Sequence, residues 1–318
     1  MSAQRIRRIG VTIGDPNGVG PEIALKAAIG LHQRTGLRSL VIGEDYLLQA
    51  CCAQWGLERH LGHAFDFHST GALAHADWQP GQVTPAAGAA TVAYVRAALR
   101  LLQAGDISAI GAAPHSETAV NAAGIPFSGY AGLLADLTGT PRDRVFLMLQ
   151  AQDLRVIHCT LHEGVIAAVQ GLTSARVQAA AHAARQALTL LGVTQPRLCV
   201  LGINPHAGEG GLFGDEDEHI TRPAVQALQA HGWQVDGPIG ADLALSERRH
   251  DAYVAMLHDQ GHIAVKMLSP KGATAWVAGL PLLFASVGHG AAFNIAGQGC
   301  ADASALTETL LMLAQTRS

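Results

Sequence analysis

Four histidines in this chain each follow an apolar run: His115 after Ile107–Ala113, His162 after Leu154–Thr160, His206 after Leu198–Ile203 and His258 after Val254–Leu257. Imidazole is the commonest protein ligand for divalent transition metals and the commonest general acid or base. One such histidine is more often a satisfied structural residue than a ligand. Several in the same setting point to a shared cleft, because ligands of open α/β sheets bind beyond the carboxyl ends of the strands. The densest segment is Tyr253-Val-Ala-Met-Leu-His-Asp-Gln-Gly-His-Ile-Ala-Val-Lys266, where a short apolar run stops at His258, Asp259 and Gln260. Polar side chains at the end of a core strand need partners or a cleft. The segment is therefore expected to deliver His258 and Asp259 to an active site, with Lys266 close behind.

The elements that would position these residues alternate. Ile6–Ile13 reads as a buried strand running into the glycine-rich turn Gly14–Gly20, followed by a helix with Pro21 and Glu22 in its first turn. Leu40–Gly43 and Ile107–Ala113 read as strands, and Gly88–Leu102 has helical spacing through Val92, Val95, Ala98 and Leu101. Residues 60–83 read as loop or hairpin. A helix is expected near Ala131–Leu137. Val145–Gln150 and Leu154–Thr160 have hairpin character, and Ser174 is expected to cap a long Ala-rich helix to Leu191. Leu198–Ile203 is a strand, followed by a helix around Ile220–His231. Strands alternating with helices argue for parallel βαβ units.

A chain of 318 residues can bury a sizeable core and hold two domains. Its apolar fraction is 49% but only 5% is aromatic, which suits helices packed closely on a parallel sheet better than a β-sandwich. A net charge of −4 without a basic block excludes a nucleic-acid partner. No apolar run approaches the roughly 18 residues that span a bilayer. Arg5, Arg7 and Arg8 precede too short an apolar run for a signal peptide, so a cytoplasmic enzyme with no membrane partner is expected. The five cysteines lack metal-knuckle spacing and read as free thiols.

Gly14-Asp-Pro-Asn-Gly-Val-Gly-Pro-Glu22, Asn204-Pro-His-Ala-Gly-Glu209 and Leu257-His-Asp-Gln-Gly261 together resemble the 4-hydroxythreonine-4-phosphate dehydrogenase family over nearly the whole chain. The resemblance implies an α/β fold of the isocitrate and isopropylmalate dehydrogenase kind: two αβα domains with a cleft between them. It implies one domain of residues 1–112 plus 270–318 with the NAD-binding loop, and another of residues 113–269 with the interface of a homodimer. It further implies NAD, oxidation of a secondary alcohol to a β-keto acid that loses carbon dioxide, and a divalent metal, iron or zinc, held by three histidines. His206 and His258 match two of these. The third family histidine belongs to a Gly-His-Thr-Glu motif where this chain reads Gly129-Tyr130-Ala131-Gly132, leaving Tyr130 or His162 as the third ligand. The family arginine after Gly-Leu-Pro is Phe284 here, and an upstream asparagine falls near Ala275. Both hold substrate phosphate in the family, and a phenyl ring cannot neutralise a phosphate.

A subgroup with the same changes is more similar still, the terephthalate 1,2-cis-dihydrodiol dehydrogenases. The shared text includes Phe127-Ser-Gly-Tyr130, Gly240-Ala-Asp242, Tyr253–His262 and Ser286-Val-Gly-His-Gly290. The implied substrate is the small dicarboxylate 1,2-dihydroxy-3,5-cyclohexadiene-1,4-dicarboxylate, and the implied products are protocatechuate, carbon dioxide and NADH. On this resemblance Lys266 transfers a proton or polarises the carbonyl, a role a desolvated lysine can take. Asp242 and Asp259 orient it or bind metal, with turn capping as their structural alternative. His115, Ser116 and His262 are candidates for a substrate carboxylate. Gly14, Asp15, Gly288, His289, Gly290 and Asn294 are candidates for NAD. Two other readings are a dehydrogenase of a 4-phosphorylated hydroxy acid such as 4-phosphohydroxy-L-threonine, and an inactive ligand-binding relative.

Overall fold

Short runs of branched apolar residues become the strands of this protein, and Ala-rich segments closed by glycine become many of the helices between them. The computed structural model describes residues 8–270 and 272–316. Ile6, Arg7 and Arg5, the start of the expected first strand and its basic flank, lie outside the described residues. The chain divides into two compact units, Met1–Leu133 with Leu282–Ser318, and Leu134–Pro281.

The first unit begins with β1 (Ile9–Thr12), α1 (Gly20–Thr35), β2 (Ser39–Gly43), α2 (Asp45–Trp55), β3 (Phe65–Ser69), α3 (Pro85–Ala104), β4 (Ala109–Ala112) and α4 (Glu117–Ala122). The boundary falls within α5 (Tyr130–Thr138). The second unit holds β5 (Phe146–Ala151), β6 (Leu154–His158), α6 (Val165–Gly171), α7 (Ser174–Leu190), β7 (Arg197–Leu201), α8 (Arg222–Ala230), β8 (Gln234–Ile239), α9 (Ala241–Glu247), β9 (Ala252–Ala255), α10 (His258–Leu268) and β10 (Thr274–Ala278). The chain then returns to the first unit with β11 (Phe284–Val287) and α11 (Ser304–Gln315).

In the first unit the strands lie in the order β3-β2-β1-β4-β11, all parallel. Every residue of β1, β2, β4 and β11 is buried, as expected of parallel strands covered on both faces. Parallel order brings the carboxyl ends of β1, β4 and β11 to one edge side by side. In the second unit the order is β10-β5-β6-β9-β7-β8. The β10–β5 and β5–β6 pairs are antiparallel; β6, β9, β7 and β8 run parallel. Its core is built around Leu149, Leu154, Val156, Leu201, Tyr253 and Val265.

The expected β5–β6 hairpin is present, turning through Gln152 with φ of 54°. Residues 60–83 contain β3, a parallel edge strand rather than loop or hairpin alone. Its Phe65-Asp-Phe-His-Ser sequence has only one fully buried position, so it carries a weak strand signal. The cap of α7 is Thr173, whose side chain accepts from the Arg176 amide, and Ser174 is the first helical residue. The stretch from His258 to Lys266 is the helix α10. The unit boundaries fall later than residues 112 and 269 because α4 packs on α3, and β10 pairs with β5.

Gly88 is where α3 meets α4: a Cβ there would lie 2.1 Å from the Ala119 carbonyl oxygen. Gly88→Ala is expected to destabilise the protein by about 2 kcal/mol through overpacking, seen as a lower midpoint in thermal unfolding. An unchanged midpoint would show that the two helices can part freely.

Candidate active site

Sheet order decides which candidate residues become neighbours. In the second unit β6, β9, β7 and β8 are successive parallel strands, and beyond their carboxyl ends come His162, His258, His206 and Asp242 respectively. Side-chain hydrogen bonds tie these ends together. Thr160 Oγ1 donates to the Met256 carbonyl at 2.7 Å, joining the β6 and β9 ends. Gln260 Oε1 accepts from the Met256 and Leu257 amides at 2.9 and 3.1 Å, while its Nε2 donates to Gly202 O at 2.8 Å, joining β9 to β7. The imidazoles of His162 and His258 stand 5.8 Å apart between ring centroids, and His258 stacks on His262 at 3.7 Å and 12°.

His206 sits in a strained loop. His206, Ala207 and Glu209 have φ of 53°, 54° and 46°, with Gly208 and Gly210 also left-handed. Each non-glycine residue in that region costs roughly 1–2 kcal/mol, so the surroundings must hold the turn. Asp217, fully buried, does so: its carboxylate accepts from the Ile203 and Asn204 amides at 2.8 and 2.9 Å and from Thr221 Oγ1 at 2.7 Å. Strain of this kind concentrates at functional sites.

Carboxylates set the polarity of two rings. His206 Nδ1 lies 3.1 Å from Glu209 Oε2, and His258 Nδ1 lies 2.7 Å from Asp259 Oδ1. A carboxylate accepts, so each Nδ1 carries the proton and, in the neutral ring, Nε2 keeps its lone pair. A carboxylate behind a histidine is the usual support for a metal ligand. The donor chemistry of His206 and His258 thus fits a divalent metal. Among the described residues no three His, Cys, Asp or Glu side chains form a group that could hold one. Asp259 is the hydrogen-bond partner of His258 Nδ1. Asp242 opens α9 beside the His206 loop: a Cβ on Gly240 would lie 3.0 Å from Asp242 Oδ1 and 3.8 Å from His206 Cα.

Lys266 lies on α10, two turns beyond His258, and is exposed, so the residues of this chain do not supply the desolvation its expected role invokes. Burial, then the neighbouring His258, lowers the pKa of His262 to about 4, so this ring is neutral at pH 7. Its Nδ1 is already engaged by His158 Nε2 at 3.1 Å and His258 O at 3.2 Å. A neutral imidazole whose one proton is committed in this way has none to give a carboxylate.

The first unit arranges its own row. Beyond β1, β4 and β11 come Gly14-Asp15, His115-Ser116 and Gly288-His289-Gly290. Gly14 takes φ of 62°, and a Cβ there would lie 2.1 Å from the Pro114 carbonyl oxygen. Gly14 and Asp15 are both buried and brace the strand ends. Asp15 Oδ1 accepts from the Asn17 amide at 2.9 Å, whereas Oδ2 is buried with no hydrogen-bond partner in the structure. Burial pushes the Asp15 pKa up to about 6, against the lowering effect of the Asn17 amide. Ser116 Oγ caps α4 by accepting from the Ala119 amide and keeps its proton to donate. His115 is half-buried against Tyr130 and Phe127, with ring centroids 4.4 and 4.8 Å away.

Tyr130 belongs to this aromatic group. Its hydroxyl donates to the Ala113 carbonyl at 3.0 Å, its ring contacts Phe284 at 5.0 Å, and burial raises its pKa. Tyr130 is engaged by these contacts; of the two residues left open as third ligand, His162 is the one whose ring stands beside His258. The β11 loop docks through Val19 N, which donates to Ala291 O at 2.8 Å. Gly290 is exposed, and a Cβ there would meet nothing within 4 Å, so its backbone is open to solvent. Asn294 is exposed in the following turn, and His289 Nδ1 contacts Gly290 O at 3.1 Å.

Residues 37–313 match the family described as pyridoxal phosphate biosynthetic protein PdxA. The chain belongs to the PdxA family. It is 48% identical over 311 residues to a 1,2-dihydroxy-3,5-cyclohexadiene-1,4-dicarboxylate dehydrogenase of Comamonas sp, covering 96% of this chain and 97% of that one. A solved terephthalate 1,2-cis-dihydrodiol dehydrogenase of Burkholderia xenovorans LB400 is 42% identical with a TM-score of 0.71, covering 98% and 99% of the two chains. A 4-hydroxythreonine-4-phosphate dehydrogenase of Burkholderia phymatum is 37% identical with a TM-score of 0.84, covering 99% and 100%. The α/β fold extends to isocitrate dehydrogenase of Methylococcus capsulatus, at 14% identity and a TM-score of 0.51 over 96% of this chain and 85% of that one. As a PdxA-family dehydrogenase the protein is an oxidoreductase, and among the described residues no helix is long and apolar enough to cross a membrane.

Sequence reasoning about this PdxA-family chain overlooked Gln260, Asp217 and His158. Gln260 lies in the Leu257–Gly261 motif, and two of its partners, Met256 N and Leu257 N, are close in sequence, but Gly202 O, the one that joins two strands, is 58 residues away. An Asp15 carboxyl whose folded pKa is raised binds its proton more tightly when folded, so its contribution is present below about pH 4 and is lost as pH rises through about 6. Asp15→Asn is expected to remove a penalty on the order of 2–3 kcal/mol above pH 6. Thermal melts from pH 4.5 to 7.5 check this: the variant should gain stability relative to the parent as pH rises, and parallel curves would refute the assignment.

Proposed function

We propose that this chain oxidises 1,2-dihydroxy-3,5-cyclohexadiene-1,4-dicarboxylate with NAD, releasing protocatechuate, carbon dioxide and NADH. The observation that carries the reading is Phe284. At the position where the family resemblance expects a phosphate-holding arginine, a phenyl ring lies fully buried against Tyr130. It offers no charge to a phosphate ester, and Ala275 on β10 offers no amide. The 48% identity to the Comamonas dehydrogenase over nearly all of both chains supports the same substrate.

Oxidation at C2 breaks the C2–H bond and places a ketone β to the carboxylate on C1. NAD, bound at the Gly288–Asn294 loop, supplies the hydride acceptor. Lys266 takes the hydroxyl proton and, once protonated, polarises the new carbonyl. Loss of carbon dioxide sends the C1–carboxylate electron pair into the ring as an enolate, which is the phenolate of an aromatic ring and takes up one proton. A divalent metal, iron or zinc, when held by His206 and His258, supplies Lewis-acid polarisation of the C2 oxygen. Asp259 and Glu209 keep Nδ1 of those rings protonated and so hold each Nε2 as a donor atom. Ser116 donates to a substrate carboxylate, with His115 beside it.

The functional unit in this reading is a homodimer. Val165, Ile166, Leu212, Leu243, Ile263 and Met267, all in the unit that carries Lys266, are between 53% and 79% exposed. Exposed large apolar side chains of this kind suit a partner surface, and in this reading a second copy seated over α10, which carries Ile263 and Met267, would desolvate Lys266.

Purified protein is expected to generate NADH from the cis-dihydrodiol and none from 4-phosphohydroxy-L-threonine. The opposite pattern would reject the substrate, and silence with both in the presence of iron or zinc would favour an inactive relative. His258→Ala is expected to lower kcat by about 100-fold or more while NAD affinity is kept. The double variant Ile263→Glu, Met267→Glu is expected to elute as a monomer in light-scattering chromatography and to lose activity; a monomeric parent would remove the dimer from this reading.

A further inference from the structure

Beneath α10 lies a histidine that the proposed chemistry does not use. His158, the last residue of β6, is 1% exposed. A Cβ on Gly261 would lie 2.3 Å from its Nε2, so the bare Gly261 lets the helix settle directly onto the imidazole. His158 Nδ1 lies 3.3 Å from the Leu147 carbonyl oxygen. A carbonyl only accepts, so Nδ1 carries a proton. The groups facing the ring are this carbonyl and the imidazole of His262, with His258 and His162 beyond them, and none is a carboxylate. A charged imidazolium enclosed there would lack a counter-ion and would be strongly disfavoured. The ring is therefore neutral, and its Nε2 keeps a lone pair.

That lone pair has a definite effect. His262 Nδ1 lies 3.1 Å from His158 Nε2 and 3.2 Å from His258 O, and both are acceptors. The hydrogen sits on His262 Nδ1, and in the neutral ring Nε2 of His262 is left bare. Stacking on His258 at 3.7 Å and 12° holds the plane of the ring. We propose that His158 is a positioning residue that locks His262 in the Nδ1-protonated tautomer, presenting its bare Nε2 as an acceptor for a substrate hydroxyl. The substrate half of this inference rests on the dihydrodiol reading; the tautomer half does not. An acceptor at this place selects a neutral donor such as the diol hydroxyl and repels a carboxylate, the reverse of a cationic histidine.

Long-range proton–nitrogen NMR of the full chain labelled with 15N-histidine, at neutral pH, tests the tautomer. In the parent protein His262 is expected to show a protonated Nδ1 and a bare Nε2. His158→Phe is expected to shift both signals toward a mixture of tautomers. His158→Gln, whose amide can donate to Leu147 O and accept from His262, is expected to restore them. A protonated Nε2 in the parent overturns the inference whatever the variants do, and so does a parent-like tautomer in His158→Phe. With the cis-dihydrodiol, His158→Phe is expected to raise the substrate KM about two- to tenfold, the worth of one neutral hydrogen bond, with the NAD KM unchanged. An equal rise in both, or no rise, overturns the substrate half. A parent protein inactive on the dihydrodiol would reject the proposed function, and the NMR result would still decide the tautomer.

Discussion

The side-chain amide of Gln260 joins the carboxyl ends of β9 and β7 through three hydrogen bonds, to Met256 N, Leu257 N and Gly202 O. These backbone groups lie where two strands have just stopped pairing, and unpaired groups in such a place are costly. One residue satisfies them and at the same time sets the separation of the loops that carry His258 and His206. Thr160 does the same between β6 and β9. The histidine row depends on this lacing, because the strands position only backbone and the loops beyond them would otherwise have freedom to part.

Beyond the lacing, the second unit controls its imidazoles by what stands behind each one. Glu209 and Asp259 accept from Nδ1 of His206 and His258, and His158 with a backbone carbonyl accepts from Nδ1 of His262. The three supports differ in kind but leave the same atom outward. Burial removes charge from His158 and His262, so the inner part of the cluster is neutral while its rim carries the carboxylates. Such a surface suits ligation and hydrogen-bond acceptance better than anion capture.

The first unit follows a different logic. Its strand-end row is sealed by aromatic packing, with Tyr130 holding Ala113 through its hydroxyl and pressing His115 against Phe127. Phe284 completes the base of that stack. Phe284 is fully buried, so an arginine at this position would carry the cost of desolvating a charge, and the rings of Phe284 and Tyr130 suit one another there.

The sequence by itself determined the alternation of strands and helices, the β5–β6 hairpin and the placing of His162, His206 and His258 at strand ends, because apolar period and glycine position act over a few residues. Its motifs also carried the family. What only the tertiary structure decided was adjacency. That β6, β9 and β7 are neighbours follows from how non-consecutive strands pair, and no local pattern encodes it. The same is true of His158, read along the chain as part of an apolar strand, and of Tyr130, whose phenol finds its acceptor seventeen residues away. Lys266, expected close behind a strand end, is an exposed residue in the third turn of α10. Hydrogen-bond direction depends on which group lies opposite in space, so the bare Nε2 atoms became visible only once the chain was folded.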